Sequence, residues 1–218
     1  MGLSKKEKMK IIIKFIRSRY GKRINEFLER NIDPFELLIT TVLSQRTKDE
    51  NTAMASERLF SVVTCPEEII RMEDKTLENL IKPSGTYREK AKRIKQISKI
   101  VVEKYNGKSP RTRKELMSLP GVGPKTADVV LSYGFGIPSI PVDVHVEVCS
   151  KRLGLVDQNA KYEEIRKTLE SLVSEKERFL VNVGFVNFGK EICRTHNPKC
   201  GICPLNDICD FHRSKRMG

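Results

Sequence analysis

The sequence predicts an all-α fold, on three observations. Apolar residues recur at three- and four-residue spacing in every long segment. No run alternates apolar with polar residues over a useful strand length. Proline, glycine and small capping residues fall between the periodic segments, where helices start and stop.

Met9, Ile12, Ile13, Ile16 and Tyr20 give a first amphipathic helix, and the lysines around them read as a solvated face. Asp33-Pro34 supplies a cap and first turn for a largely buried helix over residues 35–45. Thr47 is the expected cap of a helix reaching Phe60. Thr64-Cys65-Pro66-Glu67 opens a short helix, and another spans residues 76–81, closed by Pro83-Ser84-Gly85. A long helix over residues 86–105 buries Ala91, Ile94, Ile97, Ile100 and Val101. Thr112 and Glu115 have capping-box spacing, which predicts a short helix over residues 113–118. An irregular stretch over residues 133–142 leads to Asp143, which starts a helix reaching Leu153. Two more helices cover residues 161–173 and 177–188.

With 41 Lys and Arg against 28 Asp and Glu, the 218-residue chain carries a formal charge of +13. A polyanion, nucleic acid first, is the simplest partner for such a chain. Between Thr86 and Lys114, eleven Lys/Arg face only Glu89 and Glu103, a local excess of nine that marks a candidate DNA-facing region. No apolar run approaches the roughly 18 residues of a membrane span. The first twenty residues are too lysine-interrupted for a signal peptide. An intracellular protein is expected, and its four C-terminal cysteines then favour a metal centre over disulfides.

The chain is organised around residues 119–131, Leu-Pro-Gly-Val-Gly-Pro-Lys-Thr-Ala-Asp-Val-Val-Leu. Gly121, Val122 and Gly123 make a tight turn that lets another molecule approach the main chain, with both glycines free to take left-handed angles. Pro124 suits the first helical position. The free N–H groups at this helix start form an anion site for a phosphate. Lys125 is out of place there, because a cation in the first turn opposes the helix dipole. A DNA backbone would offset that cost, and an amine so placed is a candidate nucleophile. Asp143 reads as a helix cap, and a cap leaves carboxylate capacity for a second role. It can stabilise developing oxocarbenium charge at a ribosyl C1′ or accept a proton from the lysine.

Cys193-x6-Cys200-x2-Cys203-x5-Cys209 is the strongest motif. Four thiolates suit either a tetrahedral zinc or an iron–sulfur cluster, and spacing alone leaves both open. Cys65 and Cys149 stand apart and read as core residues. Arg194, His196 and Lys199 lie between the first two ligands, so a metal would pin a short basic loop against phosphate.

Leu119-Pro120-Gly121-Val122-Gly123, Lys125-Thr126-Ala127, Val142-Asp143-x-His145 and the 6-2-5 cysteine spacing together resemble endonuclease III. That is the base-excision-repair branch of the helix-hairpin-helix DNA glycosylase superfamily. Pro34 to Leu38, Leu43-Ser44-Gln45 and Gly85-x-Tyr87-x-x-Lys90-Ala91 extend the likeness over nearly the whole chain. The resemblance implies two helical domains with damaged double-stranded DNA bound in the cleft between them. One domain, residues 22–132, would carry the hairpin. The other, residues 1–21 with 133–218, would hold a [4Fe-4S] cluster on Cys193, Cys200, Cys203 and Cys209. Lys125 matches the family nucleophile and Asp143 its catalytic aspartate. Gln45 matches a residue that reaches into the vacated base stack, and Arg194 and Lys199 would contact DNA.

The implied activity is a bifunctional glycosylase and abasic-site lyase acting on oxidised pyrimidines, and nothing in the sequence demands more than a monomer. Relatives that only hydrolyse the base carry tyrosine or serine in place of the lysine. Two features depart from the family. Thr86 stands where bacterial members place a bulky aliphatic wedge, and Pro124 replaces a common basic residue. Two other functions compete: a mismatch glycosylase removing uracil or thymine opposite guanine, and a non-catalytic, zinc-stabilised DNA-binding module.

Overall fold

A computed structural model describes residues 2–29 and 32–217. Among them the regular structure is helical, without a β-strand. The helices are α1 (Lys5–Leu28), α2 (Pro34–Ser44), α3 (Asp49–Phe60), α4 (Pro66–Arg71), α5 (Asp74–Ile81), α6 (Tyr87–Tyr105), α7 (Arg113–Met117), α8 (Pro124–Val129), α9 (Val144–Arg152), α10 (Tyr162–Leu172), α11 (Glu175–Glu191) and α12 (Asp210–Met217). None of the described helices is long and apolar enough to cross a membrane.

The chain divides into two compact units, Asn31–Ile137 and the pair of segments Met1–Arg30 with Pro138–Gly218. The boundaries expected at 21/22 and 132/133 therefore both fall later in the chain, at 30/31 and 137/138. The first moves because α1 continues past Tyr20 and buries Ile24 in the core of the discontinuous unit. The second moves because α8 runs on into a π-helical turn, Val130–Gly134, which stays with the hairpin. Gly134 lies so close to Pro34 that an added Cβ would meet its Cα at 3.1 Å.

In the continuous unit, α2 forms the centre: Leu38, Ile39, Val42 and Leu43 are fully buried among residues of α3, α5, α6 and α8. Asp33 caps α2 by accepting from the N–H groups of Phe35 and Glu36 at 2.9 Å each. In the discontinuous unit, α1 lies along α11 and places Met9, Ile12, Ile16 and Tyr20 in the core. Gly184 permits that approach, since a Cβ there would fall 2.4 Å from Ile16 Cγ2.

Three local expectations change. Thr47 does not cap α3; its hydroxyl bonds the Ser84 and Gln45 carbonyls, and Lys48 takes the cap position without a side-chain bond. Lys8 is not on a solvated face: it is 5% exposed, donating to Leu153 O at 2.9 Å and to Asp210 at 2.6 Å. The cysteine-rich end also closes on a further helix, α12, too polar to show a buried stripe in the sequence.

Candidate active site and nucleic-acid interface

Helix α7 begins at Thr112, whose hydroxyl accepts from Glu115 N and donates back to its carboxylate at 2.6 Å. The expected helix ends one residue early, at Met117. Arg113 then crosses to the second helix of the hairpin, donating from Nε to Asp128 Oδ1 at 2.9 Å. Asp128 is fully buried, so this pair ties α7 to α8 where solvent screens it little. The two glycines of the turn differ. Gly121 is left-handed, with φ +70°, whereas Gly123 has φ −91° and ψ 179°, extended backbone open to any residue. A Cβ on Gly123 would meet nothing within 4 Å. Its open side is room for an approaching backbone, and the left-handed angle expected there is not used.

Gly123 precedes Pro124, and Lys125 follows on the exposed side of the first turn of α8. Among the described residues no carboxylate pairs with the Lys125 ammonium. Gln45 stands beside the same turn, donating from Nε2 to Gly121 O at 2.9 Å. Its Oε1 accepts from Arg93 at 2.9 Å. Thr86 is exposed in a left-handed conformation, φ +40°, which a β-branched residue adopts only when its surroundings force it.

Asp143 belongs to the other unit. One oxygen, Oδ1, accepts from His145 N at 2.9 Å and Val146 N at 2.8 Å, capping α9. The described hydrogen bonds leave Oδ2 for other work. His145 is packed against α11, where a Cβ on Gly189 would lie 2.7 Å from its Nδ1.

The four motif cysteines line one concavity, with Leu153, Phe188, Ile192 and Phe211 also in its walls. Among the described residues no three His, Cys, Asp or Glu converge where one metal ion would sit. The donor set is four sulfurs lining one hollow, a set of ligands that an iron–sulfur cluster takes. A hydrogen bond with Cys149 and the nearby Arg152 guanidinium pull the Cys193 thiol down to about 6, against burial. Burial pushes Cys203 up to about 11 and raises Cys209 as well. Cys149 is therefore a core residue that also touches a ligand position.

Arg152 organises the loop between the first two ligands. It donates to Cys193 O at 3.0 Å, Arg194 O at 2.7 Å and Thr195 O at 2.9 Å, and stacks 4.8 Å over Phe211. Arg194 and Lys199 are left exposed on that loop, beside a groove they share with Arg19 and Lys190. Sequence reading missed Arg152 and the buried Lys8 and Lys90. Only Lys90 had a signal, its place in Gly85-x-Tyr87-x-x-Lys90-Ala91. The basic stretch over residues 86–114 is also less available than its charge implies. Lys90, Lys95 and Arg113 spend their charge on internal acceptors.

Residues 39–175 match the family model described as HhH-GPD superfamily base excision DNA repair protein. Residues 197–209 match the iron-sulfur binding domain of endonuclease III. Endonuclease III of Thermotoga maritima is 47% identical over 189 residues, 87% of this chain and 88% of its own. The chain belongs to the endonuclease III family. Endonuclease III of Bacillus subtilis is 40% identical over 177 residues, 81% of each chain. Endonuclease III in a trapped covalent intermediate with DNA superposes with a TM-score of 0.88 at 36% identity, covering 99% of this chain and 100% of that one. A thermostable thymine-DNA glycosylase superposes with a TM-score of 0.85 at 25% identity, covering 95% and 98%. The endonuclease III match over residues 197–209 takes in Cys200, Cys203 and Cys209.

Proposed function

We propose that this chain is a bifunctional DNA glycosylase and abasic-site lyase that removes oxidised pyrimidines, thymine glycol among them, from duplex DNA. Base excision with strand nicking comes with membership of the endonuclease III family. The observation that carries the residue assignment is Lys125, an exposed ammonium without a carboxylate partner on the turn that follows Gly123.

The damaged nucleotide leaves the stack, because C1′ is out of reach inside the duplex. The turn's main-chain N–H groups at Gly121 and Gly123 bind the phosphate beside it, that of Val122 being held by the Leu119 carbonyl. Deprotonated Lys125 attacks C1′ through Nζ as the glycosidic bond breaks, and the base departs with the bonding pair and is protonated. Ring opening gives an imine between Nζ and C1′. Loss of a C2′ proton then expels the 3′ phosphate, breaking C3′–O3′ and nicking the strand. Asp143 stabilises the developing positive charge at C1′ and takes the proton from the lysine, using the oxygen that does not cap α9.

Cys193, Cys200, Cys203 and Cys209 would hold a [4Fe-4S] cluster. Bound there, it cross-links the loop that Arg152 shapes and fixes Arg194 and Lys199 for phosphate contact; neither cleavage step draws an electron from it. The continuous unit serves as the hairpin domain and the discontinuous unit as the cluster domain of a monomeric enzyme. The mismatch reading, for which the thymine-DNA glycosylase likeness speaks, is disfavoured by a lysine at position 125.

Matched duplexes containing thymine glycol, uracil opposite guanine, thymine opposite guanine or an abasic site test this reading. Fastest base release with coupled nicking on thymine glycol supports it. Preferential release from the mismatches without nicking overturns it. Asp143→Asn should lose at least about a hundredfold in turnover, a typical general-base contribution, while keeping DNA affinity. Wild-type turnover would leave Asp143 only its capping role.

A further inference from the structure

Lys90 is 3% exposed, yet it is a lysine in the middle of an amphipathic helix. Its ammonium donates to Leu43 O, Thr47 Oγ1 and Ser84 O, each at 2.7 Å. An ammonium has three N–H groups and no acceptor, so this set is complete. The acceptors flank functional positions on separate segments. Leu43 and Thr47 bracket Gln45, each two residues away, and Ser84 is two residues before Thr86. Thr47 also bonds Ser84 O, so the two turns share one polar centre.

Both turns hold unfavourable backbone. Arg46 has φ +53° and Thr86 has φ +40°, and neither is a glycine. Such angles cost about 1–3 kcal/mol each and persist only where neighbouring contacts over-determine them. The bonds from Lys90 supply that constraint.

One turn further along α6, Arg93 reaches the Gln45 side chain itself. Arginine only donates, so its bond fixes Oε1 toward α6 and Nε2 toward Gly121 O. One Nε2 hydrogen and one Oε1 lone pair then remain for a base. The Gly121 carbonyl, which only accepts, favours the same orientation, so Arg93 adds the second of two contacts that hold the amide in it.

We propose that Lys90 and Arg93 are positioning residues that set Gln45 and the Thr86 turn for insertion into the base stack. Lys90 shapes the backbone of both turns, and Arg93 orients the Gln45 amide. This rests on the reading of Gln45 as the residue that enters the vacated stack.

The test uses the full-length, cluster-loaded protein and a duplex with a tetrahydrofuran abasic analogue opposite 2-aminopurine, whose fluorescence rises when the base is unstacked. The variants are Gln45→Ala, Arg93→Met, Lys90→Met and the pair Gln45→Ala with Arg93→Met. Gln45→Ala should abolish most of the rise. Arg93→Met should cut both the rise and kcat on thymine glycol by about fivefold, with KM changing less, and should add under about twofold in the Gln45→Ala background, as for strongly coupled neighbours. Lys90→Met should lose the rise from both turns. If it fails to fold, Arg93→Met and the double variant still decide. A full rise with Gln45→Ala sinks the reading of Gln45 and the inference with it. Loss with Gln45→Ala but a full rise with Arg93→Met, or an equal loss from Arg93→Met in both backgrounds, overturns the inference alone, since Arg93 would then be idle or acting directly on phosphate.

Discussion

Gly121 and Gly123 sit two residues apart in one turn, and alanine at each should do different damage. At Gly121, φ is +70° and a methyl would lie 2.5 Å from Arg93 Cδ and Nε and 2.8 Å from Cζ. The left-handed angle costs roughly 1–2 kcal/mol for an L-residue. Arg93 can swing aside, but its bond to the Gln45 amide then goes, a contribution of about 1 kcal/mol at a half-buried site. Gly121→Ala should therefore lose about 2–3 kcal/mol, and about 1 kcal/mol less in an Arg93→Ala background where no guanidinium is displaced. At Gly123 the backbone is extended and a methyl meets nothing within 4 Å. Gly123→Ala should stay within about 0.5 kcal/mol of wild type, yet bind an abasic-site duplex about tenfold more weakly, because its methyl fills the open side and holds the phosphate off one backbone N–H. Denaturant unfolding and fluorescence anisotropy read the two effects. Equal destabilisation by both substitutions, or wild-type DNA affinity for Gly123→Ala, would refute the division of labour within the turn.

Lys90 gives a pH dependence. Burial, and then repulsion from Arg93, lower its pKa from 10.5 to about 8. Between those values the unfolded chain binds the proton more readily than the folded one, so this group's contribution to stability is complete above 10.5 and is lost as pH falls through 8. The unfolding free energy of wild type minus that of Lys90→Met should rise from pH 8 to 10 by at most about 1.4 kcal/mol per unit; a flat difference would contradict the buried ammonium. Gly154→Ala should destabilise the discontinuous unit. Its φ is +73° and a methyl would fall 1.7 Å from Asp210 Oδ2, so the Lys8–Asp210 pair must break. The left-handed angle costs roughly 1–2 kcal/mol and displacing the half-exposed Asp210 about 1 kcal/mol more, so the loss should be about 2–3 kcal/mol, and iron per protein should drop; unchanged stability and iron would remove Lys8 from the account of the C-terminal loop. Protein purified anaerobically should be brown and contain iron; colourless protein with zinc would restore the zinc reading of the four thiols.

Helices were legible wherever a local rule fixes them. Asp33 and Asp143 cap α2 and α9 because a carboxylate two residues before a free N–H satisfies it, and both residues carry that signal in their immediate neighbours. The hairpin was equally legible, since Gly-Val-Gly-Pro constrains backbone angles within five residues. What could not be read depends on partners far away in the chain. Lys8 and Lys90 look like any surface lysine until Leu153, Asp210, Leu43 and Ser84 arrive around them. Thr47 had two competing uses for its hydroxyl, and a carbonyl 37 residues away took precedence over the helix start next to it. The chemistry proposed for Lys125 rests on a combination of signals, a cation opposing a helix dipole beside a candidate phosphate turn.

That chemistry has a direct measurement. Sodium borohydride added during reaction with an abasic-site duplex reduces an imine to a stable amine, and mass spectrometry of the digested adduct identifies the residue. The expected result is a covalent protein–DNA adduct on Lys125 that Lys125→Gln abolishes. No adduct, or one that survives the substitution, would contradict Lys125 as the nucleophile.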